Sequence, residues 1–313
     1  VLVAGDFNVA SWIQLAGSGS TIVEPGVQVT ALLGVDLTAT AFVFGQNSRI
    51  DASTGVNLRS GSFLRMQNGA SIDGGTGPVA LSAEGDVTVG TLISSNLVRL
   101  ASRTGGILDA GEAGGADIQS PSAVLRARQG IGDSDALETD VENIAAWNDA
   151  PAGSGPATGD IQIVNVGPRL VVSTVDSLAG VVNTGSGNVL LTSTGDVLVA
   201  ADITTAGGQR TGSNASQGRI VVTADGEITL AGGVTVSTGT GWLRHDPPPV
   251  QVRLVPVDQG GSDVSSLGYA LIEVTVNDPG ANFQLQIDWS DGTIDTVPLS
   301  ASVDGLNLSL IHI

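Results

Sequence analysis

The sequence of 313 residues contains no cysteine and no lysine. Without cysteine the chain forms no disulfides and no zinc–thiolate sites, and it has no cysteine nucleophile. The 12 basic residues, all arginine, stand against 31 acidic residues, which gives a net charge of −19. Because such a chain repels a phosphate backbone, we expect no nucleic-acid partner.

Aromatic residues and long apolar runs are also scarce. Aromatic residues make up only 3% of the chain, whereas glycine supplies 44 residues. This favours a core of stacked aliphatic side chains over the aromatic-rich core of a compact sandwich. No run approaches the roughly 18 consecutive apolar residues of a membrane helix, so we expect no transmembrane segment. The hydrophobic fraction of 41% argues against disorder.

One short pattern occurs twice between Gly187 and Leu230. Gly187–Leu191 is followed after three residues by Gly195–Val199, and the pair returns as Gly218–Val222 and Gly226–Leu230, a shift of 31 residues (from 187 to 218). The same two glycine-led strands occur once earlier, as Gly77–Leu81 and Gly85–Val89. A period of this size with strand-type alternation inside it predicts a solenoid.

Each repeat has the parts of a three-sided coil. Two strands of about five residues, each opened by a corner glycine and joined by a three-residue turn, form two of the sides. The third side and a polar insertion fall within residues 200–217, and without the insertion the coil is in the low twenties of residues. We therefore predict an all-β chain with a parallel β-helix of about ten coils over residues 1–243.

Residues 130–147 fit two interpretations. Leu137, Val141 and Ile144 have the i, i+4, i+7 spacing of a short amphipathic helix, and the same segment also fits a strand. We hold the two interpretations at equal weight.

Several further segments accompany the Gly-Asp-Val-x-Val strands between residues 75 and 240. They are Gly130–Gly132, Ala136–Thr139, Ile144–Ala146, Asn165–Gly167 and Leu178–Val181. Together these segments resemble the repeats of very large bacterial exoproteins similar to filamentous haemagglutinin. The resemblance implies a right-handed parallel β-helix, export across the outer membrane and adhesion, and it implies no catalytic residues.

A change of character follows Pro247–Pro249, which we interpret as a stiff linker over residues 244–249. Beyond it the strands are longer, and Asp288–Thr293 resembles the signature of PKD-type Ig-like domains. Asp291–Gly292 is a strong hairpin signal between its flanking strands. We therefore predict a truncated PKD/Ig-like β-sandwich over residues 250–307.

The carboxylates Asp86, Asp196 and Glu227 all follow a corner glycine. If Asp196 and Glu227 stack on adjacent coils, they form a weak candidate Ca²⁺ site. Acidic residues are also ordinary corner residues on an acidic solenoid, and this second interpretation is favoured. We predict no catalytic residues and no other cofactor.

The expected function is that of a structural or adhesive segment of a large exported bacterial surface protein, located outside the cell or on its surface. Host-cell, matrix or polysaccharide ligands are the expected partners. The alternative is a β-helical polysaccharide lyase or hydrolase, whose cleft requires carboxylates and a basic residue on one face of consecutive coils. Three or more carboxylates converging with an arginine in one groove would favour that enzyme.

The last six residues, Leu308–Ile313, match the translation of CTG TCT CTT ATA CAC ATC, the mosaic end of a transposase used to prepare sequencing libraries. We predict that they are adapter read-through and not protein. Sequencing the locus with a different library chemistry is expected to yield other codons at these positions. Recovery of the same six codons would contradict the prediction.

Overall fold

The structure, a computed structural model, describes residues 1–111, 115–150, 155–185, 187–206 and 218–238, together with five further strands between residues 253 and 312. The chain divides into two compact units, Val1–Asp246 and Pro247–Ile313. Every regular element in the described residues is a strand, as predicted. No helix among these residues is long and apolar enough to cross a membrane.

The strands of the first unit are short, and most have three to five residues. They are β1 (Leu2–Val3), β2 (Phe7–Val9), β3 (Trp12–Gln14), β4 (Ser20–Val23), β5 (Gln28–Ala31), β6 (Val35–Ala39), β7 (Ala41–Phe44), β8 (Arg49–Ala52), β9 (Val56–Ser60), β10 (Leu64–Met66), β11 (Ser71–Asp73), β12 (Val79–Ala83), β13 (Val87–Val89), β14 (Thr91–Ile93), β15 (Val98–Ser102), β16 (Ile107–Asp109), β17 (Ile118–Ala127), β18 (Leu137–Asn148), β19 (Ile161–Asn165), β20 (Arg169–Val172), β21 (Thr174–Val175), β22 (Leu178–Ala179), β23 (Val181–Asn183), β24 (Val189–Ser193), β25 (Asp196–Val199), β26 (Ile203–Thr205), β27 (Ile220–Ala224), β28 (Ile228–Leu230) and β29 (Val236–Thr238).

The first unit is a parallel β-solenoid of about nine turns, which confirms the predicted coil. In its first half each turn contributes three strands, and each strand pairs in parallel with the strand three positions later. The first side contains β1, β4, β7, β10, β13 and β16. The second side contains β2, β5, β8, β11 and β14, and the third side contains β3, β6, β9, β12 and β15.

The predicted repeat between Gly187 and Leu230 is also present. Val189 lies directly beside Ile220 on β24 and β27, and Val197 lies beside Ile228 on β25 and β28. The polar run that was predicted as an insertion falls almost entirely at residues 207–217, outside the described residues. Parallel stacking of equivalent strands is therefore the organising feature of the unit.

Side chains that point inward form continuous columns because strand residues alternate between the two faces of a sheet. On the third side, Val35, Val56 and Val79 stack in register, and Leu37 and Leu58 stack beside them. All five side chains are buried. Full burial of a valine or leucine contributes about 1.5–3 kcal/mol, so these aliphatic columns supply most of the core stability.

The helical interpretation of residues 130–147 is wrong. Leu137–Asn148 is the single strand β18, and it pairs in parallel with β17 from Thr139 to its end. An i, i+4 spacing fits either period, and only Ile144, at i+7, favoured the helix. Ile144 points inward because the alternation slips by one residue between Val141 and Ile144, where the chain passes from the second side to the third.

In the C-terminal half of the solenoid the strands no longer follow the three-strand pattern of the first half. Ile161, at the start of β19, bridges to Ile131, and Ile163 on the same strand pairs with Leu137. The first two sides therefore merge into β19, whereas the third side divides into β20 and β23. A small antiparallel hairpin, β21–β22, is inserted at that division.

This hairpin folds over the outside of the third side. Val175 and Leu178 pack with Leu97, Val124 and Ala145 in a second, smaller apolar cluster. The Arg99 guanidinium contacts the Asp176 carboxylate at 2.5 Å, and the Trp147 indole N–H donates to the Ala179 carbonyl at 2.9 Å. The hairpin thus reaches turns other than its own neighbours.

The second unit contains five described strands, all antiparallel. They are β30 (Arg253–Val255), β31 (Tyr269–Thr275), β32 (Asn282–Asp288), β33 (Ile294–Ser300) and β34 (Leu306–His312). β31 pairs with both β30 and β34, and β32 pairs with β33. The predicted linker at Pro247–Pro249 and the turn at Asp291–Gly292 lie outside the described residues. The PKD/Ig-like assignment and the handedness of the solenoid stay predictions.

The close approach of neighbouring turns at a corner can be tested by substitution at Gly187. A Cβ at Gly187 would lie 1.9 Å from the carbonyl oxygen of Gly159 in the turn below, whereas a Cβ at Gly19 meets nothing within 4 Å. We expect Gly187→Ala to destabilise the protein by about 1–3 kcal/mol through overpacking and Gly19→Ala to have little effect. Thermal unfolding of the full chain, followed by circular dichroism, measures both. Equal shifts for the two variants would contradict the close approach.

Candidate functional site

The predicted metal candidates Asp196 and Glu227 lie at the same corner in adjacent turns. The Asp196 carboxylate accepts a hydrogen bond from the backbone N–H of Glu227 at 2.9 Å. The Glu227 carboxylate accepts one from the Thr229 hydroxyl at 3.3 Å. Among the described residues no three His, Cys, Asp or Glu side chains are grouped to hold a metal ion. The structure therefore gives Asp196 a backbone-binding role, and calcium binding stays a prediction.

The same backbone-binding role recurs at other corners. Where the chain turns into a strand, the N–H of the next turn has no carbonyl partner in the ladder and requires another acceptor. A carboxylate one turn below provides it, as when Asp86 accepts from the Gly106 N–H at 2.9 Å. Part of the acidic composition thus supports the stack. Equivalent bonds join Asp6 to Gln28, Asp117 to Glu138, Asp133 to Asp160, Asp160 to Asn188, and Asp202 to Thr235.

Buried asparagines bind the backbone at two further corners. Asn148 and Asn183 are fully buried in adjacent turns, and the Asn148 amide donates to the Asn183 side-chain oxygen at 3.2 Å. Both amides also donate to the Gly159 carbonyl. Asn165, also fully buried, accepts from the Thr139 hydroxyl and the Val141 N–H. This role was not predicted from the sequence, although an asparagine ends each of the three strands.

Asp117 is the one strongly perturbed titratable group that the structure describes. Burial, together with the nearby Asp109 charge, raises the pKa of Asp117 to about 8, although the hydrogen bond from the Glu138 N–H opposes the change. Within the described residues, the Asp109 Oδ1 atom is buried without a hydrogen-bond partner. Asp117 therefore keeps its proton at neutral pH. No sequence signal indicated this cluster, because it depends on how three segments stack.

The Asp117 cluster does not have the form of a polysaccharide-cleaving site. Asp117 is only 7% exposed, which leaves no room for a polymer to reach its carboxyl group. No arginine contributes to its pKa shift. The described ion pairs of Arg49, Arg59, Arg99, Arg103 and Arg126 all involve other acidic residues.

An open groove of about 360 Å³ lies on the outer face of the third side. Its lining includes Val35, Asp36 and Asn57, together with the small or rigid residues Gly55, Pro78 and Ala80. The Asp36 Oδ1 atom accepts hydrogen bonds from the Asn57 amide at 2.9 Å and from the Arg59 guanidinium at 2.8 Å. These polar groups are therefore held in fixed positions beside a shallow apolar floor.

Exposed aliphatic side chains lie in the first two turns, one of which contributes to this groove. Ile13 is 61% exposed and lies in register beside Asp36, and Leu33 is 54% exposed two residues before Val35. Leu15 and Leu32 are exposed in the same two turns. Because large exposed apolar patches on soluble proteins usually mark interaction surfaces, this region is the best-supported candidate site.

No protein-family model, no curated protein and no solved structure matches the chain. The description of the solenoid and its outer groove therefore rests on the structure of this chain alone. The likeness to filamentous-haemagglutinin-type repeats stays a prediction.

Asp117 gives the solenoid a pH-dependent stability. Its pKa is higher in the folded chain than the ordinary value of 3.8, so its favourable contribution is complete below about pH 4 and is lost as the pH rises to about 8. We expect the free energy of unfolding of Asp117→Asn, relative to that of the unchanged chain, to increase between these pH values by at most about 1.4 kcal/mol per pH unit.

The control for this prediction is Asp86→Asn. Asp86 has the same backbone-binding role but is exposed, so its replacement measures what the loss of such a carboxylate does without burial. Melting curves recorded from pH 4 to pH 9 measure both variants. If the Asp117→Asn difference is the same at all pH values, the raised pKa is wrong.

Proposed function

We propose that this chain is a structural and adhesive segment of a large exported bacterial surface protein. In this function the solenoid is a stiff stalk that holds binding surfaces away from the cell. The observation that carries the proposal is the parallel stack of about nine turns over continuous buried aliphatic columns. Because neighbouring turns are joined by backbone ladders on all sides, the stack resists bending and needs no disulfides.

The dimensions of the solenoid suit this role. Parallel strands are separated by about 4.8 Å, so about nine turns extend roughly 40 Å. Its binding function resides on the outer faces, since the inside is filled by side chains. Host-cell, matrix and polysaccharide surfaces are the proposed partners, encountered outside the cell.

The second candidate function is cleavage of polysaccharides, which the raised pKa of Asp117 favours. A carboxyl group that is protonated at neutral pH has the state required of a general acid. Asp117, however, is 7% exposed, and its partner Glu138 is bound to it through the backbone. These contacts favour the structural role over the enzyme.

Adhesion is tested with the full chain coupled to beads. Beads are applied to epithelial cells, to matrix proteins and to wells coated with polysaccharides, with albumin-coated beads as the control. We expect several-fold more attachment than the control to at least one of these surfaces. Control-level attachment to all of them contradicts the adhesive function. Release of reducing or unsaturated ends from the polysaccharides would support the enzyme in its place.

A further inference from the structure

The outer groove lies within one column of stacked residues on the third side. Ile13, Asp36, Asn57, Ala80 and Arg99 occupy the same register position in five successive turns. Strand spacing places neighbouring members about 4.8 Å apart. The column therefore presents an aliphatic group, two hydrogen-bonding groups and a small floor residue in order along the solenoid.

The hairpin bounds this column on one side. Arg99 is held by Asp176, at the tip of the hairpin that covers Val124 and Ala145 in the following turns. Below Arg99 the hairpin does not cover the column from Ile13 to Ala80, which leaves room for an extended ligand.

The groove has the chemical character of a sugar-binding surface. The hydroxyl groups of a sugar require paired donors and acceptors, and Asp36, Asn57 and Arg59 supply both. Their mutual hydrogen bonds at 2.8 and 2.9 Å fix them before a ligand arrives, which lowers the entropic cost of binding. Pro78 and Ala80 supply an apolar floor for the C–H face of a sugar ring.

The net charge of the chain determines which class of sugar polymer can bind. The chain carries a net charge of −19, so a polymer rich in uronate or sulfate groups is repelled. Within the groove the Asp36 carboxylate is paired with the Arg59 guanidinium, which leaves no unpaired charge on this polar cluster. The site therefore matches an uncharged ligand.

We infer that this groove binds a neutral glycan chain, along the column from Ile13 to Ala80. The inference rests on the proposed adhesive function and assigns a ligand class to it. Contacts are limited to hydrogen bonds with the polar cluster and to packing on the apolar floor, so the bound glycan is held without chemical change.

The test uses affinity electrophoresis of the full chain through gels that contain dextran, laminarin or mannan, with alginate as the anionic comparison. We expect at least one neutral polymer to retard the chain and alginate to have no effect. Ala80→Arg fills the floor of the groove and is expected to weaken binding about tenfold. Ala101→Arg adds the same charge at an exposed position on the same side, outside the groove lining, and is expected to leave binding within twofold.

Asn57→Ala is the second variant, because it removes a polar group without adding bulk. It is expected to weaken binding, with an unchanged melting temperature, and it decides the matter if Ala80→Arg fails to fold. Retardation by alginate alone, by no polymer, or equally for all variants overturns the inference. Beads that still attach to cells in that case leave the adhesive function in place, so the two failures are distinguishable.

Discussion

The structure depends on one constraint, that each turn lies directly above the previous one with its strands in parallel register. At a spacing of about 4.8 Å, side chains at equivalent positions touch, so inward columns consist of similar aliphatic residues such as Val35, Val56 and Val79. Corners obey the same constraint. The carbonyl oxygen of Gly159 lies where a side chain at Gly187 would stand, which leaves glycine as the residue that fits.

Stacking satisfies the backbone along the strands but not at the corners, and this explains the polar composition. Carboxylates such as Asp86 and Asp196 accept the N–H of the turn above, and the buried Asn148 amide oxygen accepts the Gly130 N–H of the turn below. A carboxylate suits this role while it remains near solvent. Asp117 occupies the same position where the corner is buried beside Asp109, and there the charge is too costly, so the proton is retained.

The sequence predicted those parts of the fold that repeat and failed where contacts are particular. The 31-residue repeat identified the pairing of Val189 with Ile220, because equivalent strands must stack. The spacing of Leu137 and Val141 fits both periods, and the one-residue slip before Ile144 could not be read from the sequence. The groove depends on the outward register of three turns, and the Arg99–Asp176 contact joins residues 77 apart. Neither the groove nor this contact is indicated by residues that are close together in the sequence.

The hairpin connects the energetics of the stack with its surface. In a solenoid each turn contacts only its neighbours, so stability is a sum of local terms and unfolding spreads from weak turns. Through Arg99 and Trp147 the hairpin binds turns on either side of the slip at Ile144, and it covers the apolar column formed by Val124 and Ala145. Below Arg99 the same column is uncovered and lined by Asp36 and Asn57. One outer face therefore has two uses, since the chain covers its own apolar stretch and leaves the hydrogen-bonding stretch open.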